Sequence, residues 1–318
     1  RAFRQRHHAP KLALSGWGGD TRLLSAEYYD GLDKVLPKDV IFTSLDHISP
    51  RTRVDAVYGV LPPDRERWPI PWLENDGDQW RPQPFVHTYE AMARYLRDTG
   101  SQGVLGIHWR TRDIEDNLAF LVDFAWNPDL TAQEFFADKA HHAFDPVLAD
   151  DMAEILDGLD ALGYSWVGGT GQSECGAFSW GTPDVNQLAP FRALKSRVET
   201  LLPKANQGRA YLEWLLANME WVSKYADTQL AVQEATVLLV RARQATPEER
   251  KAVAAQGVAL LDQGDFAEAL HAYARRLATR GEYGVLATIN TKAVVAWREL
   301  RSQLAQLAEM DAAPPDTA

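Results

Sequence analysis

At 318 residues with 46% hydrophobic side chains, the chain can bury a large core and form two ordinary domains, which excludes general disorder. Its formal net charge of −11, with Lys and Arg nowhere concentrated, excludes nucleic acid as the main partner, and no apolar run approaches the roughly 18 residues of a membrane span. The single cysteine, Cys175, excludes an internal disulfide.

The chain opens at Arg1 on "RAFRQRHHAP", which lacks the apolar core of a signal peptide and reads as a start inside a larger protein, leaving its cellular location open. From there the pattern alternates. Short β-type runs over 11–17, 39–45, 68–73 and 103–109 predict parallel strands. Helical spacing predicts helices over 25–36, 85–100, 117–126 and 130–144. Gly100 closes the second of these, and Thr131 with Glu134 three residues on reads as a capping box for the fourth. Strand, loop and helix in repetition point to α/β architecture over 1–145.

The pattern changes at 146. A helix over 146–163 and a Gly- and Trp-rich loop form a connecting segment, 146–187. An all-α domain is expected over 188–309, with helices at 188–202, 208–243, 247–262, 265–279 and 284–309, and a disordered tail over 310–318. "LLDQGDFAEALHAYARRL" (260–277) resembles one tetratricopeptide hairpin, but one copy is not an array, so it reads as an ordinary helix pair. Glu282 in "TRGEYG" reads either as a first-turn acid or as a residue reaching into a barrel mouth.

Polar and aromatic residues fall at the C-terminal ends of the expected strands: Trp17 and Asp20, Asp46 and His47, Trp72 with Glu74 and Asp76, then His108, Trp109 and Arg110. Parallel α/β folds place their sites on that edge. The turns carry no G-x-G-x-x-G or P-loop spacing, so no nucleotide cofactor is implied. His7-His8 and His141-His142 are adjacent pairs that point apart and lack metal-ligand spacing, and no G-x-S-x-G elbow supports a serine triad. Eight tryptophans precede position 181 (Trp17, Trp68, Trp72, Trp80, Trp109, Trp126, Trp166 and Trp180), a clustering that suits either a large core or a cleft where indoles stack on sugar rings.

The runs "SGWGGD", "LPKDVIFTSLDH", "WPIPWLENDGDQW", "GVLGIHWRTRDIEDN" and "FAWNPDLTAQEFF" follow an order that resembles the C-terminal half of a TIM-barrel glycoside hydrolase, of the α-glucuronidase-like and β-hexosaminidase-like kind, followed by a helical domain. The resemblance covers residues 1–145. It implies a partial (β/α)8 barrel of four parallel strands, a carbohydrate substrate, and hydrolysis of glycosidic bonds by paired carboxyl groups. It points to Glu74 as nucleophile or base, with Asp76 and Asp46 as further carboxyl groups. It assigns substrate binding to Trp17, Asp20, His47, Trp72, His108, Trp109 and Arg110. If the substrate carries a uronic acid, Arg110 or Arg112 is the natural clamp, since arginine pairs with a carboxylate through two hydrogen bonds. Arg110 paired with a nearby acid, and Glu74 and Asp76 as solvated turn residues, are the plainer readings of the same residues. The resemblance also implies three or four further βα units upstream that hold the acid/base. Two other functions fit the sequence: a carbohydrate-binding protein without catalysis, and a helical scaffold built on 188–309.

Overall fold

The computed structural model describes residues 11–17, 26–46, 60–71, 73–74, 80–98, 100–108, 114–163, 166–171 and 178–310. The chain divides into two units, one of residues 1–75 with 84–135, the other of 76–83 with 136–318.

The first unit is built on a parallel sheet. Strands β1 (Leu12–Trp17), β2 (Val40–Asp46) and β3 (Arg67–Pro71) lie in sequential order, with Leu14 beside Phe42 and Phe42 beside Arg67. Val40, Ile41, Phe42 and Thr43 are buried in succession, which requires cover on both faces of the sheet. Helix α1 (Ala26–Val35) packs Tyr29 on Phe42 at 5.6 Å between ring centroids, and its hydroxyl donates to the Thr43 carbonyl (3.1 Å). Leu14, Leu32 and Met92 of α2 (Val86–Asp98) join the same cluster. Helix α3 (Glu115–Trp126) sets Leu121 beside Leu73 over Gly106, where a Cβ would come within 3.2 Å of both leucines. Since side chains alternate along a strand, Leu14, Phe42 and Leu73 share one face, so all three helices cover the same side.

Arg65 fastens α1 to the approach of β3. Its buried guanidinium stacks over Phe42 and donates to the Asp33 carboxylate (2.6 Å) and to the carbonyls of Asp33, Leu36, Pro37 and Val40. Carbonyls that the end of α1 leaves without helical partners are thereby satisfied. Burial disfavours ionisation of Asp33, but hydrogen bonds from Lys38 and Arg65 outweigh it and hold the carboxyl below its usual range.

Three strands, not four, are present among the described residues, which corrects the four-strand half-barrel expected from the sequence. The fourth run does lie beside β3. Gln102 N–H donates to the Arg67 carbonyl (3.3 Å), Leu105 to Pro69 (3.0 Å), Ile107 to Pro71 (3.0 Å), and Leu73 N–H to Ile107 (2.9 Å). The carbonyls of residues 67, 69 and 71 face this run, so the missing N–H groups of Pro69 and Pro71 would have faced it too. The ladder is therefore half made, and only Ile107 forms a bridge.

The second unit is helical. It contains the C-terminal part of α4 (Ala132–Ala143), then α5 (Ala149–Ala161), α6 (Val185–Leu201), α7 (Arg209–Gln244), α8 (Pro247–Gln263), α9 (Phe266–Arg275), α10 (Arg280–Ile289) and α11 (Val295–Ala308). The 36-residue α7 is its spine, buried on most of its circumference and flanked by α6, α8, α9 and α11. The helix expected over 284–309 starts four residues earlier, at Arg280, and is interrupted by a π-turn over Asn290–Val294. Its start is fixed by a capping box: Thr279 accepts from Glu282 N–H, and the Glu282 carboxylate accepts from the N–H groups of Ala278 (2.7 Å) and Thr279 (2.6 Å). Glu282 is thus a capping acid. Before α6, the stretches 166–171 and 178–184 run so close that a Cβ on Gly171, which sits at φ +82°, would collide with the Ser179 carbonyl.

Trp80 and Arg81 lie in the core of this unit. Trp80 Nε1 donates to Thr288 Oγ1 (3.1 Å), and Trp221 Nε1 donates to the Trp80 carbonyl (2.8 Å). Arg81 donates to the carbonyls of Trp166 (2.6 Å) and Gly168 and to Gln229 Oε1 (3.0 Å), with its guanidinium over the Tyr225 ring. Trp80 and Trp166 are core residues, as the plainer reading of the tryptophan cluster has it.

Candidate functional site

The register of the parallel sheet sets the C-terminal ends of the strands side by side. Trp17 at the end of β1 pairs with Leu45, and Asp46 at the end of β2 pairs with Pro71 at the end of β3. Leu73 N–H then bonds to Ile107, so the backbone of Glu74 follows one end and that of His108 the next. Four of the ten residues singled out in the sequence, Trp17, Asp46, Glu74 and His108, therefore belong to one edge at the level of the backbone. Only Glu74 and His108 have described side chains. Asp20, His47, Trp72, Asp76, Trp109 and Arg110 lie outside the described residues.

Glu74 is only 2% exposed, while His108 is exposed. Removing a carboxyl from water is costly, so its burial at a strand exit needs a structural or chemical return. The exit itself is held by Asn117, which belongs to no motif in the sequence. From the first turn of α3, its Nδ2 donates to the Leu73 carbonyl (2.9 Å) and its Oδ1 accepts from Phe85 N–H (2.8 Å). Its signal was present in the sequence: Asn117 falls between Ile114 and Leu121 on the apolar face of the helix, where a polar residue must find internal partners. Glu115 and Asp116 occupy the same first turn, where the helix dipole favours acids.

His141 and His142 diverge, as adjacent residues on a helix must: His141 Nε2 lies 3.3 Å from Asp150, and His142 Nδ1 is 2.7 Å from the Asp138 carbonyl. Among the described residues no three His, Cys, Asp or Glu side chains gather as a metal site would need, and no helix is long and apolar enough to cross a membrane. Trp68 is half-buried, its indole lying over Gly103 and its Nε1 donating to Glu66 Oε1 (3.1 Å). Compared with known proteins, the chain matches no family model and no curated relative, so the case for its function rests on the residues themselves.

Proposed function

We propose that this chain is part of a glycoside hydrolase-like protein that hydrolyses glycosidic bonds in a polysaccharide or oligosaccharide, with its cleft on the C-terminal edge of the parallel sheet. The observation that carries the reading is Glu74: a buried carboxyl at a strand exit, with the preceding carbonyl tied down by Asn117. Sequential strand order and parallel pairing suit this placement, since parallel α/β architecture sets its sites at the C-terminal ends of the strands.

In this proposal Glu74 acts as nucleophile on the anomeric carbon, or as the base that takes a proton from the attacking water. Asp46 and Asp76 supply further carboxyl groups. Trp17, Trp72 and Trp109 present indole surface to the sugar, Asp20, His47 and His108 bond its hydroxyls, and Arg110 receives a uronic carboxylate. With Glu74 as nucleophile, its oxygen bonds to the anomeric carbon as the glycosidic C–O bond breaks and the leaving oxygen takes a proton from the acid; water then displaces Glu74 from that carbon and gives its proton back to the same acid/base group. With Glu74 as base, water attacks the anomeric carbon directly, its proton passes to Glu74, and the leaving oxygen is protonated by the acid.

The test is release of reducing sugar from a panel of neutral and uronic oligosaccharides by the longest open reading frame that contains these residues. Glu74→Gln should keep the fold and sugar binding and lower turnover by about 10²–10⁴-fold or more, the range for loss of an acid/base or nucleophile. Near-normal turnover by Glu74→Gln on a substrate that the unaltered protein cleaves would overturn the assignment. Sugar binding with no turnover by either form would favour a lectin-like role.

A further inference from the structure

Helix α3 is apolar on two sides. Asn117, Phe120 and Leu121 are buried within the first unit. On the opposite side, Leu118, Val122 and Trp126 follow one another at intervals of four and are 41%, 52% and 88% exposed. At that spacing they form one stripe along the helix. The small exposed residues Ala119 and Ala125 flank it and leave room for a close approach. A helix with this much apolar circumference is normally buried, and an exposed stripe ending in a bare indole marks a contact surface.

Among the described residues, the charges beside the stripe choose the occupant. Glu115 lies in line with it and Asp123 beside it, both exposed. At the C-terminal end Arg97 is paired with Asp129 (3.2 Å) and so adds little positive field. A second copy of the chain would bring the same acids to the same stripe, on a molecule of net charge −11, and like charges across an interface are repelled. An anionic membrane surface is disfavoured for the same reason.

We propose that this face of α3 docks an amphipathic helix of a protein partner, one with an apolar stripe flanked by Lys or Arg. The mode is helix against helix, with Trp126 as the aromatic anchor and Glu115 and Asp123 fixing register and orientation. The proposal stands apart from the glycoside hydrolase reading and uses none of its residues.

The test uses the whole 318-residue chain and two synthetic amphipathic helices as probes, labelled for fluorescence anisotropy. Both carry the same leucine stripe; one has lysine flanks, the other glutamate flanks. The lysine-flanked helix should bind, more weakly as salt rises, and the glutamate-flanked one should not. Val122→Asp and Trp126→Ser, each checked for an unchanged circular dichroism melt, should each weaken binding by about 10-fold or more, roughly 1.4 kcal/mol. The double variant Glu115→Lys with Asp123→Lys should reverse the preference between the two probes. Absence of binding, equal binding of the two probes, or binding that survives both Val122→Asp and Trp126→Ser would overturn the proposal. Self-association of the chain that Val122→Asp abolishes would also overturn it, in favour of a second copy.

Discussion

Asn117 has both ends of its amide in use, one on the carbonyl that precedes Glu74 and one on the N–H that precedes α2. Asn117→Ala should leave two buried backbone groups without these partners and lower stability by about 2–6 kcal/mol, since each orphaned group costs about 1–3 kcal/mol. Denaturant unfolding measures this, and a loss below about 0.5 kcal/mol, the scale of an ordinary surface substitution, would show that other groups replace the amide. The two residues illustrate what the sequence makes legible. Glu74 stands out because a carboxyl among Trp72, Leu73 and prolines is chemically conspicuous, yet its burial is a tertiary fact. Asn117 was visible only as a break in an apolar helical stripe, and its partners lie 32 and 44 residues away. Arg65 carries no local signal, because the carbonyls it serves become neighbours only after α1 has docked on the sheet.

Helices were legible where their signals are local. The capping box at the start of α4 is as the residues predict: Glu134 N–H donates to Thr131 Oγ1 (3.1 Å) and the Glu134 carboxylate accepts from Thr131 N–H (2.9 Å). The backbone N–H of Thr131, aided by its hydroxyl, holds the Glu134 carboxyl below the ordinary glutamate value of 4.5. A carboxyl lowered on folding stabilises the folded state above its unfolded pKa, and that contribution fades as pH falls through the lowered value. Glu134→Gln keeps an acceptor that does not titrate. The gap in melting temperature between the unaltered chain and Glu134→Gln should therefore be full at neutral pH and close below about pH 4.5. A gap that is the same at every pH would show that the charge is immaterial. The strands were less legible, for a non-local reason. "GVLGIH" has strand composition, but whether it completes a ladder depends on the donors of its neighbour, and Pro69 and Pro71 withhold two of them. Similarly, the π-turn at Asn290–Val294 interrupts a run that reads as one continuous helix along the sequence.

The two units exchange chain: residues 76–83 interrupt the first and belong to the second. A boundary read along the sequence misses this, because Trp80 looks like its neighbours in "RWPIPWLENDGDQW" and only its bond to Thr288, 208 positions away, reveals its place. A fragment of residues 136–318 therefore lacks a buried tryptophan and an arginine that serves two carbonyls and a glutamine. Losing a buried tryptophan alone costs about 3–5 kcal/mol. The fragment should melt lower and less cooperatively than the helical unit of the intact chain, and a synthetic peptide of residues 76–83 added in trans should raise its melting temperature. A fragment that melts like the intact unit, with no response to the peptide, would show that Trp80 and Arg81 are dispensable to that core. The exchange also has a consequence in time. A ribosome adds about 5–20 residues each second, so Thr288 is made about 10–40 s after Trp80, and until then the indole and guanidinium have no finished core to enter. The newborn chain must carry these early residues open to chaperones and proteases while the rest of their domain is still being written.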